Sequence, residues 1–371
     1  MAFKSVFFDL TCPSSPDAKP LMLHELLFCP VLTWVCEELS VRGIQRFFVI
    51  CDEKWNGDVT AALDGVADVQ LFADAHSALS AAQEDLLVIP SPVLPIDAFS
   101  LSPVYGASVS ALRAHLADGK PLTARPEGAQ DAISFLPWRS AEELQRAMPM
   151  CREAIVSRHS HKGVFVMDST NTYIDPRCTI GEGTVILPGT ILRGRTAIGA
   201  HCEIGPNTMI RDCTVGDHTT VNASQLNESS VGSGTTVGPF AYVRPKCVIG
   251  DKCRVGDFVE VKNSVIGNGT KISHLTYVGD SDVGQRVNFG CGTVTTNYDG
   301  NRKFRCTIGD DVFLGCNTNL VAPVTVADRA YTAAGSTITE DVEADALAIA
   351  RAKQTNKPGW AARFRATWKK K

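Results

Sequence analysis

The chain has 371 residues, with 36 Lys+Arg against 40 Asp+Glu and a formal net charge of −4, so it lacks the basic footprint of a nucleic-acid binder. Hydrophobic residues make up 44% and charged residues 20%, which excludes a disordered chain, and no apolar run approaches the roughly 18–20 residues of a membrane span. The apolar start is cut by Asp9, without the layout of a secretory signal, and the 13 cysteines form no C-x-x-C pair. We therefore expect a cytoplasmic protein with reduced, mostly buried thiols and, at roughly 150 residues per domain, two or three domains.

In chain order, Val6-Phe7-Phe8, Phe47–Ile50 and Leu86–Ile89 read as strands and Leu32–Leu39 as a helix. This alternation predicts an α/β domain with a partly parallel sheet over 1–140. Ala141–Ser157 has helix-forming composition and predicts a linker over 141–162, with His159 and His161 exposed on it rather than ligating a metal. From 163 to 341 the pattern changes to a period of six. Aliphatic residues fall at Ile180, Ile186, Leu192, Ile198, Ile204 and Ile210, at Val231, Val237, Val243, Ile249, Val255 and Val261, and again at Ile308, Leu314, Leu320, Val326 and Ile338. Neither a 3.6 nor a 2 period produces this. Three hexads close a coil of about 18 residues, the parallel β-helix class, with roughly nine coils expected. Cys202, Cys247 and Cys253 should pack beside the inward column. The steps Ile210 to Val215 and Val261 to Ile266 read as shortened turns. Glycine often follows the aliphatic residue, as in Ile180-Gly181 and Val255-Gly256, which predicts tight corners at positive φ. Asn297–Arg305 interrupts the repeat and predicts a projecting loop, a common place for a binding site. Residues 342–371 predict a short Ala-rich helix, Asp345–Ala352, then a basic tail with Arg363, Arg365 and Lys369–Lys371. That tail either holds a phosphate of a neighbour's ligand or is simply solvated.

Within the repeat stand Gly238-Pro239-Phe240-Ala241-Tyr242-Val243-Arg244-Pro245, Gly256-Asp257-Phe258-Val259-Glu260-Val261-Lys262 and Ser273-His274-Leu275-Thr276-Tyr277-Val278-Gly279-Asp280. Asn288-Phe289-Gly290-Cys291-Gly292-Thr293, Thr296-Asn297-Tyr298-Asp299-Gly300, Asn319–Val324 and Ala333-Ala334-Gly335-Ser336 follow. Through these motifs residues 163–360 resemble the acetyltransferase half of the bacterial bifunctional N-acetylglucosamine-1-phosphate uridyltransferase and glucosamine-1-phosphate acetyltransferase family. The resemblance implies an all-β left-handed parallel β-helix, an exception to the usual right-handed crossover, and a homotrimer with sites between neighbouring helices. It implies acetyl-CoA as co-substrate and His274 as the general base, a role that needs a neutral imidazole near pH 7. It assigns Arg244, Lys262, Tyr277, Asn288 and Lys303 to the sugar phosphate, and Cys291, Asn297, Tyr298, Cys316, Ala334 and Arg351 to coenzyme A. At 316 the family can carry serine. No acyl-enzyme is implied, so Cys291 reads as a lining residue rather than a nucleophile.

The first domain resembles a shortened uridyltransferase half through Leu23-His24-Glu25-Leu26 and Val41-Arg42-Gly43-Ile44, but its motifs are largely missing. Leu10–Pro16 stands where the family has a glycine-rich nucleotide loop, and Pro90-Ser91-Pro92 offers no carboxylate for Mg²⁺. Pro137-Trp138 replaces an asparagine pair. The expectation is N-acetylation of glucosamine 1-phosphate, feeding UDP-N-acetylglucosamine and peptidoglycan synthesis, with uridyl transfer and its Mg²⁺ lost. The alternatives are another amino-sugar acceptor, or a scaffold whose first domain binds a nucleotide sugar or a partner enzyme.

Overall fold

The structure is a computed structural model that describes residues 3–11, 18–97 and 102–368. Residues 12–16 of the glycine-poor loop and Lys369–Lys371 of the basic tail lie outside the described residues. The chain divides into two compact units, Met1–Pro239 and Phe240–Lys371. Among the described residues no helix is long and apolar enough to cross a membrane.

In the first unit Ser5–Asp9, Arg46–Ile50, Val69–Phe72 and Leu86–Ile89 pair in parallel, in the order 69–72, 46–50, 5–9, 86–89. Two strands that the sequence pattern did not disclose, Tyr105–Ala107 and Gln130–Asp131, extend this sheet antiparallel beyond Leu86–Ile89. The sheet is a run of bulky apolar residues because both faces are covered, with Phe7, Phe47, Phe48, Leu86 and Val88 all buried. Helix Val31–Val41 and helix Ala141–Ser160 follow, the latter starting at Ser140, whose Oγ accepts from the Glu143 N–H at 3.2 Å, while Glu143 Oε2 accepts from the Arg139 N–H at 2.7 Å. The Ser140 hydroxyl thus satisfies one N–H that a helix start leaves open, and the Glu143 carboxylate ties down the residue before the cap. His161 is exposed as expected, whereas His159 is 2% exposed and neither ring nitrogen has a hydrogen-bond partner. The helix buries it on the inward stripe with Ile155, Val156 and Cys151, contrary to the exposure expected of a linker.

From Phe165 the chain winds as a left-handed parallel β-helix of hexapeptide repeats. Each aliphatic residue faces inward and stacks on its counterpart one coil on: Ile180 on Ile198, Ile198 on Val215, Val215 on Val231. The shortened step before Val215 is absorbed by a turn in which Asp212 takes φ 50°. Arg195 donates to Glu37 Oε1 at 3.0 Å and to the Asp64 carbonyl at 2.9 Å, and Arg177 donates to the Phe28 carbonyl at 3.3 Å. These contacts hold the first coils to helix Val31–Val41 and to turns of the α/β region within the unit.

The second unit is wound in the same way. Val243 pairs with Val261, Val261 with Val278, Ile249 with Ile266 and Phe289 with Leu314. Cys202, in the first unit, and Cys247 and Cys253, in the second, are buried beside the inward columns. The positive φ expected of the glycine after the aliphatic residue is found at Gly205 (φ 114°) and Gly238 (φ 101°), but at other corners the reason is different. Gly181 and Gly256 do not take a positive φ; instead a Cβ at Gly181 would lie 2.5 Å from Ala200 N, and one at Gly256 would lie 2.0 Å from Ser273 O. Coil-to-coil approach, not backbone handedness, demands glycine there. The left-handed conformation falls later in the corner, at Gly183, His201, Lys252 and Phe258. The expected helix at Asp345–Ala352 is replaced by a short strand, Leu347–Ala348, paired with Tyr331–Thr332. Ladder hydrogen bonds of the last coil override the helical preference of an Ala-rich run. A helix does form further on, at Trp360–Trp368.

Candidate functional site

Most of the site residues singled out above fall into two groups in the second unit, and the register of the coils assembles both. Strand Arg254–Asp257 pairs with Lys271–His274, so Asp257 faces His274 directly. Lys271 pairs with Asn288 and Ile272 with Phe289, which carries Cys291 to the position beside His274 one coil on; the Gly292 N–H points at the His274 carbonyl. Asn288 pairs with Phe313 and Phe289 with Leu314, which carries Cys316 beside Cys291, and the Asn317 N–H donates to the Cys291 carbonyl at 2.8 Å. The Gly335 N–H donates to the Cys316 carbonyl at 2.8 Å, placing Ala334 next, and Arg351 packs by Gly335. Residues far apart in the chain thus form one edge: Asp257, His274, Cys291, Cys316, Ala334.

His274 is exposed at the end of its strand. Its Nδ1 and Asp257 Oδ1 are 2.5 Å apart, and the imidazole hydrogen bond, the largest cause, holds the Asp257 carboxyl below its usual range. An ionised carboxylate only accepts, so Nδ1 carries the hydrogen and Nε2 of the neutral ring is left with its lone pair. A basic nitrogen facing solvent at a fixed tautomer can take a proton from an incoming nucleophile.

The second group lies on the adjoining face. Arg244 Nη1 donates to Glu260 Oε1 at 2.8 Å. Lys262 Nζ donates to Asp280 Oδ2 at 2.9 Å, Asn263 Nδ2 donates to Asp280 Oδ1 at 2.6 Å, and Asn297 Nδ2 also donates to Asp280 Oδ2. Asp280 is 4% exposed. Burial would raise its carboxyl, but the hydrogen bonds from Asn263, Lys262 and Asn297 outweigh this and hold it below the ordinary range. Burial acts to lower the Lys262 ammonium, and the Asp280 hydrogen bond and charge more than compensate, so Lys262 is held above its ordinary value. Tyr277 lies over Gly279: a Cβ there would meet the Tyr277 hydroxyl oxygen at 2.3 Å. Lys303 forms a short antiparallel bridge with Tyr298 that closes the projecting loop, and the exposed Tyr298 hydroxyl donates to the Gly300 carbonyl at 2.6 Å. Asn297, expected on the loop, is buried where the loop leaves the coil. Asn288 sits at the start of the strand that ends in the Cys291 corner, on the His274 side rather than with Lys262.

Asp257, Glu260, Asn263 and Asp280 stood inside or beside the sequence motifs without a role. Their partners are 16–18 residues away, one coil on, so the signal is the coil length itself. With the geometry in place, the chemistry available is proton abstraction at His274 beside a clamp of two cations suited to a phosphate dianion.

The family model described as Bacterial transferase hexapeptide (six repeats) matches residues 177–212 and 228–263. The chain is 54% identical over 221 residues to the bifunctional protein GlmU of Caldanaerobacter subterraneus subsp. tengcongensis, covering 60% of this chain and 48% of that protein. It is 48% identical over 243 residues to the bifunctional protein GlmU of Clostridium kluyveri, covering 66% and 53%. The chain therefore spans about half the length of the curated relatives it matches. Among solved structures, an Arabidopsis UDP-N-acetylglucosamine acyltransferase is similar at 15% identity and a TM-score of 0.37, covering 51% of this chain and 70% of that one.

Proposed function

We propose that this chain transfers the acetyl group of acetyl-CoA to the amino group of glucosamine 1-phosphate, in the route to UDP-N-acetylglucosamine. The observation that carries the reading is the Asp257–His274 pair standing at one corner with Arg244 and Lys262 on the adjoining face. The similarity to GlmU proteins supports the same reaction class. In this reading Nε2 of His274 takes the proton as the sugar nitrogen attacks the thioester carbonyl, the C–S bond breaks, and the coenzyme A sulfur leaves and is protonated. Arg244, Lys262, Tyr277 and Lys303 hold the sugar phosphate, with Asn288 beside the base. Cys291, Asn297, Tyr298, Cys316, Ala334 and Arg351 line the path of coenzyme A, and the backbone at Cys291 faces the thioester. The open face suits a homotrimer in which a neighbouring helix covers the ligands. Residues 1–140 act as a retired nucleotidyltransferase domain: strand Leu86–Ile89 leads into Pro90-Ser91-Pro92, which supplies no carboxylate for Mg²⁺.

The test is thiol release from acetyl-CoA with glucosamine 1-phosphate, run beside pyrophosphate release from UTP with N-acetylglucosamine 1-phosphate and Mg²⁺. Thiol release alone is expected. Pyrophosphate release would overturn the retired-domain reading, and neither product would favour a scaffold. Arg244→Ala and Lys262→Ala should raise KM for the phosphorylated sugar and leave an unphosphorylated amino sugar unaffected; equal losses on both would point to a different acceptor.

A further inference from the structure

Ten of the described cysteines are buried, and burial pushes up the thiols of Cys151 and Cys178 to about 12 and of Cys213 and Cys306 to about 11. Such thiols are inert. Among the described residues only Cys291, half-buried, and Cys316, exposed, reach the surface. They are one coil apart at the same register position, two residues beyond the Phe289 and Leu314 pair, with the Asn317 N–H on the Cys291 carbonyl at 2.8 Å. Both corners have the same form. The next residue takes a left-handed conformation in each, Gly292 at φ 77° and Asn317 at φ 54°. Equivalent corners aim their Cα–Cβ bonds the same way, so the two Cβ atoms are separated by about the spacing of neighbouring strands, roughly 4.8 Å. A disulfide accepts Cα atoms about 4.4–6.8 Å apart and wants Cβ atoms about 3.5–4.5 Å apart. The first condition is met and the second needs only a slight closing of the two corners.

We propose that Cys291 and Cys316 are an oxidisable thiol pair, a modification site at which a peroxide closes a covalent bridge between two coils and blocks the coenzyme A path. The inference rests on the reading above for its effect on activity, though not for the bridge itself. Cys316, the more exposed, attacks the peroxide O–O bond, giving its sulfenic acid and water. The Cys291 sulfur then attacks that sulfenic sulfur, an S–S bond forms, and the hydroxyl leaves as a second water. Two thiols lose two electrons in all, hydrogen peroxide gains them, and two waters result. Because the corners must close to reach bonding geometry, the bridge is of the tense, exposed kind that small dithiols reduce readily. It lies between His274 and Ala334, on the edge assigned to coenzyme A, so the oxidised chain loses acetyl transfer until reduced.

The experiment treats the purified full chain with graded hydrogen peroxide, alkylates remaining thiols under denaturing conditions, and maps peptides by mass. Expected are a 291–316 linked peptide, at least a tenfold loss of thiol release, and recovery with dithiothreitol. Cys316→Ser should form no bridge and keep its own untreated rate through the same doses. The pair is overturned if both thiols stay alkylatable while activity falls, if each is oxidised singly without a bridge, or if Cys316→Ser is inactivated in the same way. A bridge that forms in a chain with no acetyl transfer before treatment would sink the functional reading and keep the pair. An active chain with no bridge would do the reverse.

Discussion

The same corner of the repeat is built twice with different residues. In the first unit, Ile186 stacks on Ile204, Ile204 on Val221 and Val221 on Val237, so the positions two residues on are Pro188, Pro206, Ala223 and Pro239. In the second unit the equivalent positions are Asp257, His274, Cys291, Cys316 and Ala334. The inward column is alike, yet one edge is closed with alanine and with prolines, two of them after cis bonds at Gly205-Pro206 and Gly238-Pro239, while the other carries an acid, a base and two thiols. A hexapeptide coil therefore specifies its core and leaves the corner residues free, and chemistry is written in what the period does not constrain.

That comparison can be broken at graded cost. The largest of these effects is expected at Asp280, which ties Lys262, Asn263 and Asn297 together. Asp280→Ala leaves these donors without their shared acceptor and should lower kcat/KM on the order of 100-fold through misplacement of both substrates. Chemical denaturation should also show a stability loss of about 1–3 kcal/mol; unchanged KM for both substrates would contradict the positioning role. Because the folded carboxyl is held below its unfolded value, this stabilisation is present above the ordinary aspartate range and is lost as pH falls through the folded value.

Asp257→Ala should cost roughly tenfold in kcat with little change in KM, since the ring loses the acceptor that fixes its tautomer and orientation. An unchanged kcat would mean that the 2.5 Å contact does not act on the base. A second histidine sharpens the contrast. His159 is buried and lowered to about 4, with burial first and the charges of Arg158 and Lys162 next. Its folded value lies below the unfolded 6.5, so the unfolded chain takes the proton first and stability declines as pH drops from about 6.5 to about 4, by up to about 3 kcal/mol. His159→Leu should flatten that slope in melts across this range and leave turnover at pH 8 intact; a slope equal to that of the parent would contradict it. The smallest effect is Arg195→Ala, which removes a half-exposed pair with Glu37 and should cost under about 1 kcal/mol by the same melts.

Much of the fold was legible because the inward residues repeat in the chain itself: Ile180, Ile198 and Val215 stack as the period requires. What was missed depends on distant partners. Tyr105–Ala107 is short and flanked by no alternation, and its place in the sheet comes from Leu86–Val88. Asp345–Ala352 has a helical composition, but Tyr331–Thr332 offers it a ladder. His159 looked like a linker residue because exposure follows from what the helix packs on, which its own neighbours do not state. In the site, the motif residues were visible, while the acids that orient them needed the coil length to be paired. Asp257 reaches His274, and Asp280 reaches Lys262 and Asn297, only through the winding.

The most direct measurement is the initial rate of thiol release from acetyl-CoA with glucosamine 1-phosphate for His274→Ala beside Pro188→Ala, the equivalent corner of an earlier coil. The account predicts a loss of about 10²–10⁴ for the first, with an unchanged circular dichroism spectrum, and the parental rate for the second. Full turnover by His274→Ala would contradict it.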